Sequence, residues 1–411
     1  MNPIESQQQR YAALVVGGGP VGAAMALGLR AQGLRVALID QAAPQAVNNP
    51  LGVDPRTVAL SAASRDLLIG LRSWPDYPVS VIQHMEIWEE RGTAMLEFEA
   101  PVDLAIPQAA DAPPARLGYL AEIAPWREFL WRQLEQAGVD LHVGVVQGLT
   151  RKAQGIEEGD TGAQAPWVIE TSQGQFETPL VIAADGANSI VRRSLDLAMP
   201  LVPTGQSALA TAAETSLAHN RTAYQRFLTT GPVALLPLQD EHLVSVVWSA
   251  DDALADELAA LRPEALALRL GQATQERLGP IKRLLPAVRF PLRQGVVRDF
   301  VPAPGIVLIG DAARVIHPLA GQGINLGFED VSGVLQCIAG ELTWPRFARR
   351  RRARSLLAIQ LMSSLNAAYG GSRPGIQWAR NQVVRGLNRN DALKRLLIRE
   401  AMGLGPLAQA G

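Results

Sequence analysis

Residues 11–40, YAALVVGGGPVGAAMALGLRAQGLRVALID, leave a chain few ways to fold. Residues 12–16 are apolar and partly β-branched, as suits a parallel strand covered on both faces. Gly17-x-Gly19-x-x-Gly22 follows, with Pro20 inside it, and then a run of Ala, Met and Leu that favours helix up to Gly33. RVALI makes a second strand, and Asp40 stands at its end. Strand, glycine turn, helix, strand and acid together are the βαβ fingerprint of a dinucleotide site. Gly17 permits the tight turn, Gly19 leaves room for a pyrophosphate, and Gly22 lets helix and strand pack closely. The helix N-terminus offers unpaired N–H groups to the phosphates, and Asp40 can accept from a ribose diol. A purely structural glycine turn would not account for Asp40.

Length and composition bound the rest. The 411 residues suffice for two sizeable domains, or for one large domain with an insertion. Hydrophobic residues make up 48% and charged residues 19%, so a globular protein is expected rather than a disordered one. Cys337 is the single cysteine, which fits a reducing compartment; its apolar setting reads as a buried structural thiol. The opening MNPIESQQQRYA lacks the charged-then-apolar pattern of a secretory signal, and no apolar run approaches the roughly 20 residues that span a bilayer. The expectation is a cytoplasmic protein, with peripheral attachment to the inner membrane as an extension of it.

Charge is unevenly spread. From Glu341 onward there are thirteen Arg and Lys against three acids, in a chain of net charge −1. RFARRRRAR (346–354) is the densest part. It reads either as a solvated helix face beside an acidic domain or as a surface for anionic lipid or an acidic partner. Nucleic acid is not expected, because the basic residues show no regular interleaving with aromatic ones. No cluster has metal-site spacing, and no nucleophile elbow is present.

Two later segments sharpen the reading. PLVIAADGANSIVRRSL (179–195) is a strand followed by Asp185-Gly186 and a helix with Ser189 and Arg192. GIVLIGDAARVIHPLAGQGINLGFEDV (305–331) is a strand, then Gly310-Asp311, then a glycine-rich entry to a helix. With the N-terminal fingerprint, these resemble the FAD-dependent aromatic hydroxylases of the para-hydroxybenzoate hydroxylase type. More narrowly they resemble the branch that hydroxylates polyprenylated rings in ubiquinone biosynthesis. VDPRTVALSAAS (53–64), LGYLAE (117–122), residues 224–249 and LIREAMGL (397–404) extend the resemblance over nearly the whole chain. Two positions depart from the family pattern. Ile123 stands where Asn is usual, and Arg314, a permanent cation, stands where His is usual.

The resemblance implies an α/β fold. A Rossmann-like FAD domain is expected from residues 1–72, 115–200 and 298–370. A mostly antiparallel substrate sheet is expected from 73–114 and 201–297, with 84–100 as a hairpin, and a basic helical region from 371–411. It implies FAD held by Gly17, Gly19, Pro20, Gly22, Asp40, Arg56, Asp185, Gly186, Gly310, Asp311, Gly321, Gly323, Ile324 and Asn325. His317, Pro318, Gly321, Gln322 and Gly323 are the candidate catalytic positions beside the flavin ring, where small residues let the backbone run close. Gln322 and Asn325 are expected to line the site as neutral amides. The helix beginning near Gly323 would aim its N-terminus at the reduced flavin. NAD(P)H would reduce the flavin in passing, and no second GxGxxG is needed for it. Dioxygen would then form a flavin C4a-hydroperoxide that hydroxylates an electron-rich ring. The expected partners are a polyprenyl aromatic substrate, O2, and either a membrane surface or other quinone-biosynthesis proteins.

LIREAMGL tilts the ring position toward the first hydroxylation of the polyprenylphenol. Other readings stay open: a monooxygenase of a soluble aromatic catabolite, a flavin reductase of isoprenoid double bonds, or a flavoprotein kept as an assembly module. No substrate-activating base is identified. His317 is the one histidine inside a motif, and its position before proline favours an extended, exposed backbone. Tyr224 and Phe227 read as sheet core before pocket.

Overall fold

The computed structural model describes residues 9–90, 95–99, 116–152, 165–317 and 322–369. The tip of the 84–100 hairpin, Pro318, Gly321 and the 371–411 region lie outside the described residues.

The fingerprint folds as its composition dictates. Ala13–Val16 is a strand with all four residues buried. The helix Pro20–Ala31 follows, with its Gly, Ala, Met and Leu residues buried from Gly22 to Leu29. Such small side chains let the helix lie close to the sheet and to the later helix Gln322–Ile338, where Gly28 meets Leu335. Gly33, at φ +83°, turns the chain out of the helix into Val36–Asp40. Five strands then align in parallel, in the order Ile306–Leu308, Val181–Ala183, Ala13–Val16, Val36–Asp40 and Asp140–Val143. The inner strands are apolar because helices and sheet layers cover both faces.

A second, nine-stranded sheet stands over this layer. The hairpin of His84–Glu89 and Met95–Glu99 joins it in parallel with Thr222–Leu228. Gly231–Pro237, Leu243–Asp251, Val202–Thr215 and Val288–Val296 continue it antiparallel. Its edge strand, Arg314–Val315, comes from the 305–331 motif and pairs with Val296 and Gly295. That pairing fixes the 305–331 segment directly to the upper sheet. A three-stranded sheet of Thr57–Leu60, Gly118–Glu122 and Ser80–Ile82 fills the space between. Cys337 is buried in the lower core, and burial raises its thiol to a pKa of about 11, so it stays protonated at neutral pH.

Candidate active site

The glycine loop is tight enough to be specified by its own contacts. At Gly17 (φ +108°) an added Cβ would lie 2.3 Å from the Ala184 carbonyl oxygen. At Gly22 it would lie 2.0 Å from the Gly17 oxygen. At Gly19 it would meet nothing within 4 Å. Two glycines therefore shape the loop, and the third leaves space above the helix N-terminus. Asp40 reinforces the loop. Its Oδ2 accepts from Gly18 N at 2.5 Å, its Oδ1 accepts from Ala42 N at 3.0 Å, and Arg127 lies 3.6 Å away. Each carboxylate oxygen has a further lone pair for a ribose hydroxyl.

Two more turns meet this loop. Asp185 Oδ2 accepts from Ile190 N and Val191 N, at 2.7 and 3.2 Å, and so caps the short helix Ile190–Ser194. Its Oδ1 is buried with no hydrogen-bond partner among the described residues. Gly186 and Gly310 adopt φ +81° and +59°, a region that favours glycine. Gly310 N donates to Asp330 Oδ2 at 2.9 Å. Arg192 is buried and donates to the Ala312 and Ala187 carbonyls, locking the two turns to each other.

These turns enclose one side of a cavity of about 610 Å³. Gly19, Pro20, Gly22, Gly186, Gly310, Asp311, Gly323 and Ile324 line that side. The opposite side is the upper sheet, with Met85, Gln225, Ala234, Leu236, Val247 and Ser249. An open space above a helix N-terminus, glycines where any Cβ would intrude, and an orphaned buried oxygen on Asp185 fit a dinucleotide such as FAD.

Comparison with known proteins agrees. The FAD binding domain family matches residues 126–346. The chain is 30% identical over 404 residues to the 3-demethoxyubiquinol 3-hydroxylase of Escherichia coli (strain K12), spanning 95% of this chain and 98% of that protein. It is 31% identical over 369 residues to the mitochondrial ubiquinone biosynthesis monooxygenase COQ6 of Homo sapiens, spanning 79% and 76%. This chain belongs to the FAD-dependent monooxygenase family of the ubiquinone hydroxylases. The crystal structure of p-nitrophenol 4-monooxygenase PnpA from Pseudomonas putida DLL-E4 shares the fold, with a TM-score of 0.72 at 20% identity over 97% of this chain and 100% of that one.

As a member of that family the hydroxylase uses FAD, with NAD(P)H as reductant. Its other singled-out residues are placed as follows. Asp311 opens onto the cavity, yet protein surrounds it on its remaining sides. Burial raises its pKa, Arg314 opposes the rise, and Asp330 adds to it. Arg56 is not among the cavity-lining residues; its guanidinium pairs with Asp54 at 3.2 Å and is mostly exposed. Asn325 does not line the site as a free amide. It is buried, accepts from Ser61 N and Ser64 Oγ at 3.0 and 2.7 Å, and donates to the Ala59 carbonyl. It pins the helix Ala62–Gly70 to the helix Gln322–Ile338. Gly323 and Ile324 do reach the cavity, and the backbone of Gln322 opens that helix.

Arg314 is not a cation offered to the cofactor. Its side chain is 2% exposed, and Nη1 donates to Asp330 Oδ2 at 2.6 Å. Arg351 Nε holds the other oxygen of Asp330 at 2.6 Å, and its Nη1 reaches Glu329 at 2.7 Å. The basic run at 346–354 is thus divided, since Arg351 and Arg354 face Glu329 while Arg346, Arg349 and Arg352 are exposed.

His317 is buried, contrary to the exposed backbone expected before proline. The strand Val202–Thr215 covers it, and Nε2 lies 3.2 Å from Gln206 Oε1, which places the ring proton on Nε2. Burial lowers its pKa to about 4, so it is neutral at neutral pH. Because the folded value lies below the unfolded one, near 6.5, the unfolded chain takes up the proton first. The stability associated with neutral His317 is complete above about pH 6.5 and is lost as pH falls toward 4. Replacing His317→Gln should flatten the loss of stability between pH 7 and pH 4 by up to about 3 kcal/mol. Denaturation midpoints of both proteins across that range check this, and identical pH slopes would refute it.

Tyr224 and Phe227 are buried in side-chain clusters of the upper sheet. Gln225, between them, is the residue of that strand that faces the cavity. The one amide of the strand TAYQRFL was the available signal, but alternation alone does not say which strand face meets the cavity.

Proposed function

We propose that this protein hydroxylates the aromatic ring of a polyprenylated phenol or quinol in ubiquinone biosynthesis. One observation carries the reading: a glycine-lined cofactor cradle and an apolar sheet face share a single cavity. The sheet side presents Met85, Leu236, Val247, Phe290 and Leu292, and Ile82 joins them from the three-stranded sheet. Phe290 is 40% exposed, so the cavity reaches the surface through an apolar rim. Such a lining suits an aromatic ring that carries an isoprenoid tail. Burying one isoprene unit contributes roughly 3 kcal/mol at about 0.8 kcal/mol per carbon.

Bound FAD supplies the redox chemistry, taking hydride from NAD(P)H and activating dioxygen. The chain supplies position and dryness. The 17–22 loop and the 185–186 and 310–311 turns hold the dinucleotide, and the upper sheet holds the ring against it. The N-terminus of the 322–338 helix, with Gly323 and Ile324, favours negative charge developing nearby. The nearest acid on the cavity wall is Asp311, on the cofactor side, and Arg293 lines the cavity at an exposed position.

No helix among the described residues is long and apolar enough to cross a membrane. We place the protein peripherally on the cytoplasmic face of the inner membrane, or on a partner that presents the lipid. Exposed Leu356, Leu357 and Leu361 share a helix with exposed Arg346, Arg349 and Arg352, which supports contact with an anionic lipid surface. Full activity on a prenyl-free phenol in buffer without lipid would count against that placement.

The test is mass spectrometry of quinone-pathway lipids in a strain lacking the gene. One under-hydroxylated prenylphenol should accumulate, and its mass names the ring position. Accumulation of a demethoxyubiquinol would match the step named for the Escherichia coli relative. Accumulation of the unhydroxylated polyprenylphenol would match the first hydroxylation. A normal quinone profile, with no NAD(P)H-dependent oxygen uptake on prenylphenols by the purified protein, would sink the proposal.

A further inference from the structure

Across the strands Thr222–Leu228, Gly231–Pro237 and Leu243–Asp251, the positions that line the cavity above the cofactor cradle are apolar except at two points. Gln225 lies opposite Ala234, which lies opposite Val247. Ser249 is two residues beyond Val247 on the same strand, and therefore on the same face. All four line the cavity. Among the described residues, neither the Gln225 carboxamide nor the Ser249 hydroxyl has a side-chain hydrogen-bond partner. Both therefore rely on whatever fills the cavity. Thr57 shares a hydrogen bond with Ser245 at 2.7 Å, His317 is turned to Gln206, and Arg293 lines the cavity from an exposed position.

We infer that Gln225, assisted by Ser249, is the contact that orients the substrate ring, by hydrogen bonding to a ring hydroxyl. The inference rests on the hydroxylase reading given above. A carboxamide has two donors and an acceptor, and a serine hydroxyl adds one of each. Both are neutral, so they bind a neutral phenol or quinol without adding charge to an apolar chamber. A ligand that displaces water from them must replace the lost hydrogen bonds, and an aromatic ring does so only by turning an oxygen toward them. Hydrogen bonding at one end and apolar packing along the tail then leave a single in-plane orientation. That orientation decides which ring carbon faces the flavin.

Gln225→Leu tests this. Leucine matches the neighbouring Ala234, Leu236 and Val247, and no protein hydrogen bond is broken. Flavin content per polypeptide should therefore remain that of the wild type. With a prenylphenol as substrate, KM should rise about ten- to a hundredfold, the range expected for losing one hydrogen bond to a partner left unsatisfied. The fraction of NAD(P)H oxidation that yields hydroxylated product should fall, because a misoriented ring leaves reduced flavin to react unproductively. A merely structural role would not move that coupling ratio.

The wild type should also prefer the phenol over its O-methyl ether, and Gln225→Leu should lose this preference. Ser249→Ala should show a smaller change of the same kind. If Gln225→Leu loses flavin, Ser249→Ala and the ether comparison on the wild type still decide. Unchanged KM, coupling and ether discrimination would overturn the inference while the wild type still hydroxylates prenylphenols. Failure of the wild type to hydroxylate any prenylphenol would instead remove the functional reading, and the inference with it.

Discussion

Replacing Gly19 by valine should abolish flavin loading while leaving the folded polypeptide almost unchanged. The expectation comes from the contrast among three glycines of one loop. An added Cβ at Gly17 or Gly22 would collide with backbone oxygens at 2.3 and 2.0 Å. Those substitutions must shift the loop itself, and they confound folding with binding. Gly19 is different. Its φ of −73° is open to any residue, and nothing lies within 4 Å of the new Cβ. Only a cofactor in the cradle would meet the side chain. The cost to the apoprotein is a poorer helix N-cap, about 1 kcal/mol or less. Flavin affinity should fall by at least about a hundredfold, since one displaced pyrophosphate contact to a helix N-terminus and one clash exceed roughly 2.7 kcal/mol together. The flavin-to-protein absorbance ratio and the denaturation midpoint of the apoprotein measure the two halves separately. Normal yellow protein from Gly19→Val would mean that the dinucleotide does not lie over this helix.

The second large effect is expected at Asp330. It is fully buried and accepts from Arg314, Arg351 and Gly310 N at once. Asp330→Ala leaves two buried guanidinium groups without their shared counter-ion, a change of about 3–5 kcal/mol in other buried pairs. It also frees the Gly310 turn beside the cavity. A fall in the urea midpoint with unchanged cooperativity, together with weaker flavin retention, would meet the expectation. Arg314→Met is the informative control. Asp330 keeps Arg351 and the Gly310 amide, while the Nε and Nη2 atoms of Arg314 are buried without partners among the described residues. Methionine over the Phe300 ring removes that burden, so the variant should lie within about 1 kcal/mol of the wild type. If Arg314→Met is as damaging as Asp330→Ala, the network is not organised around the aspartate.

These residues mark how far the sequence could be read. The cradle was legible because its physics is local. Glycines at fixed offsets between a buried strand and a small-residue helix can do little else, and Asp40 and Gly310-Asp311 stand at strand ends. The α/β class followed from the same segments. Arg314 was not legible. Beside a flavin motif it reads as a permanent cation near the cofactor, yet its partner Asp330 lies 16 positions away, and Arg351, which shares that aspartate, lies 37 positions away on another helix. Asp330 belongs to no short motif and acquires its importance only from those partners. Asn325 reads as a neutral amide lining the site, but which way it faces depends on Ser61 and Ser64. His317 precedes a proline, but its burial comes from the strand that carries Gln206, 111 positions earlier.

The order of strands in the lower sheet has a consequence for synthesis. Val21, in the first helix, packs against Gly310 and Gly327. The strand Ala13–Val16 has neighbours at Val36–Asp40 and Val181–Ala183, and the next strand out is Ile306–Leu308. The part of the chain made first is therefore walled by parts made last. A ribosome that has released the whole glycine fingerprint has not yet made a flavin site, and the exposed apolar strand must wait for distant partners. FAD held by turns from all three segments would recognise only the finished arrangement. Its binding energy stabilises completed molecules and gives nothing to truncated ones.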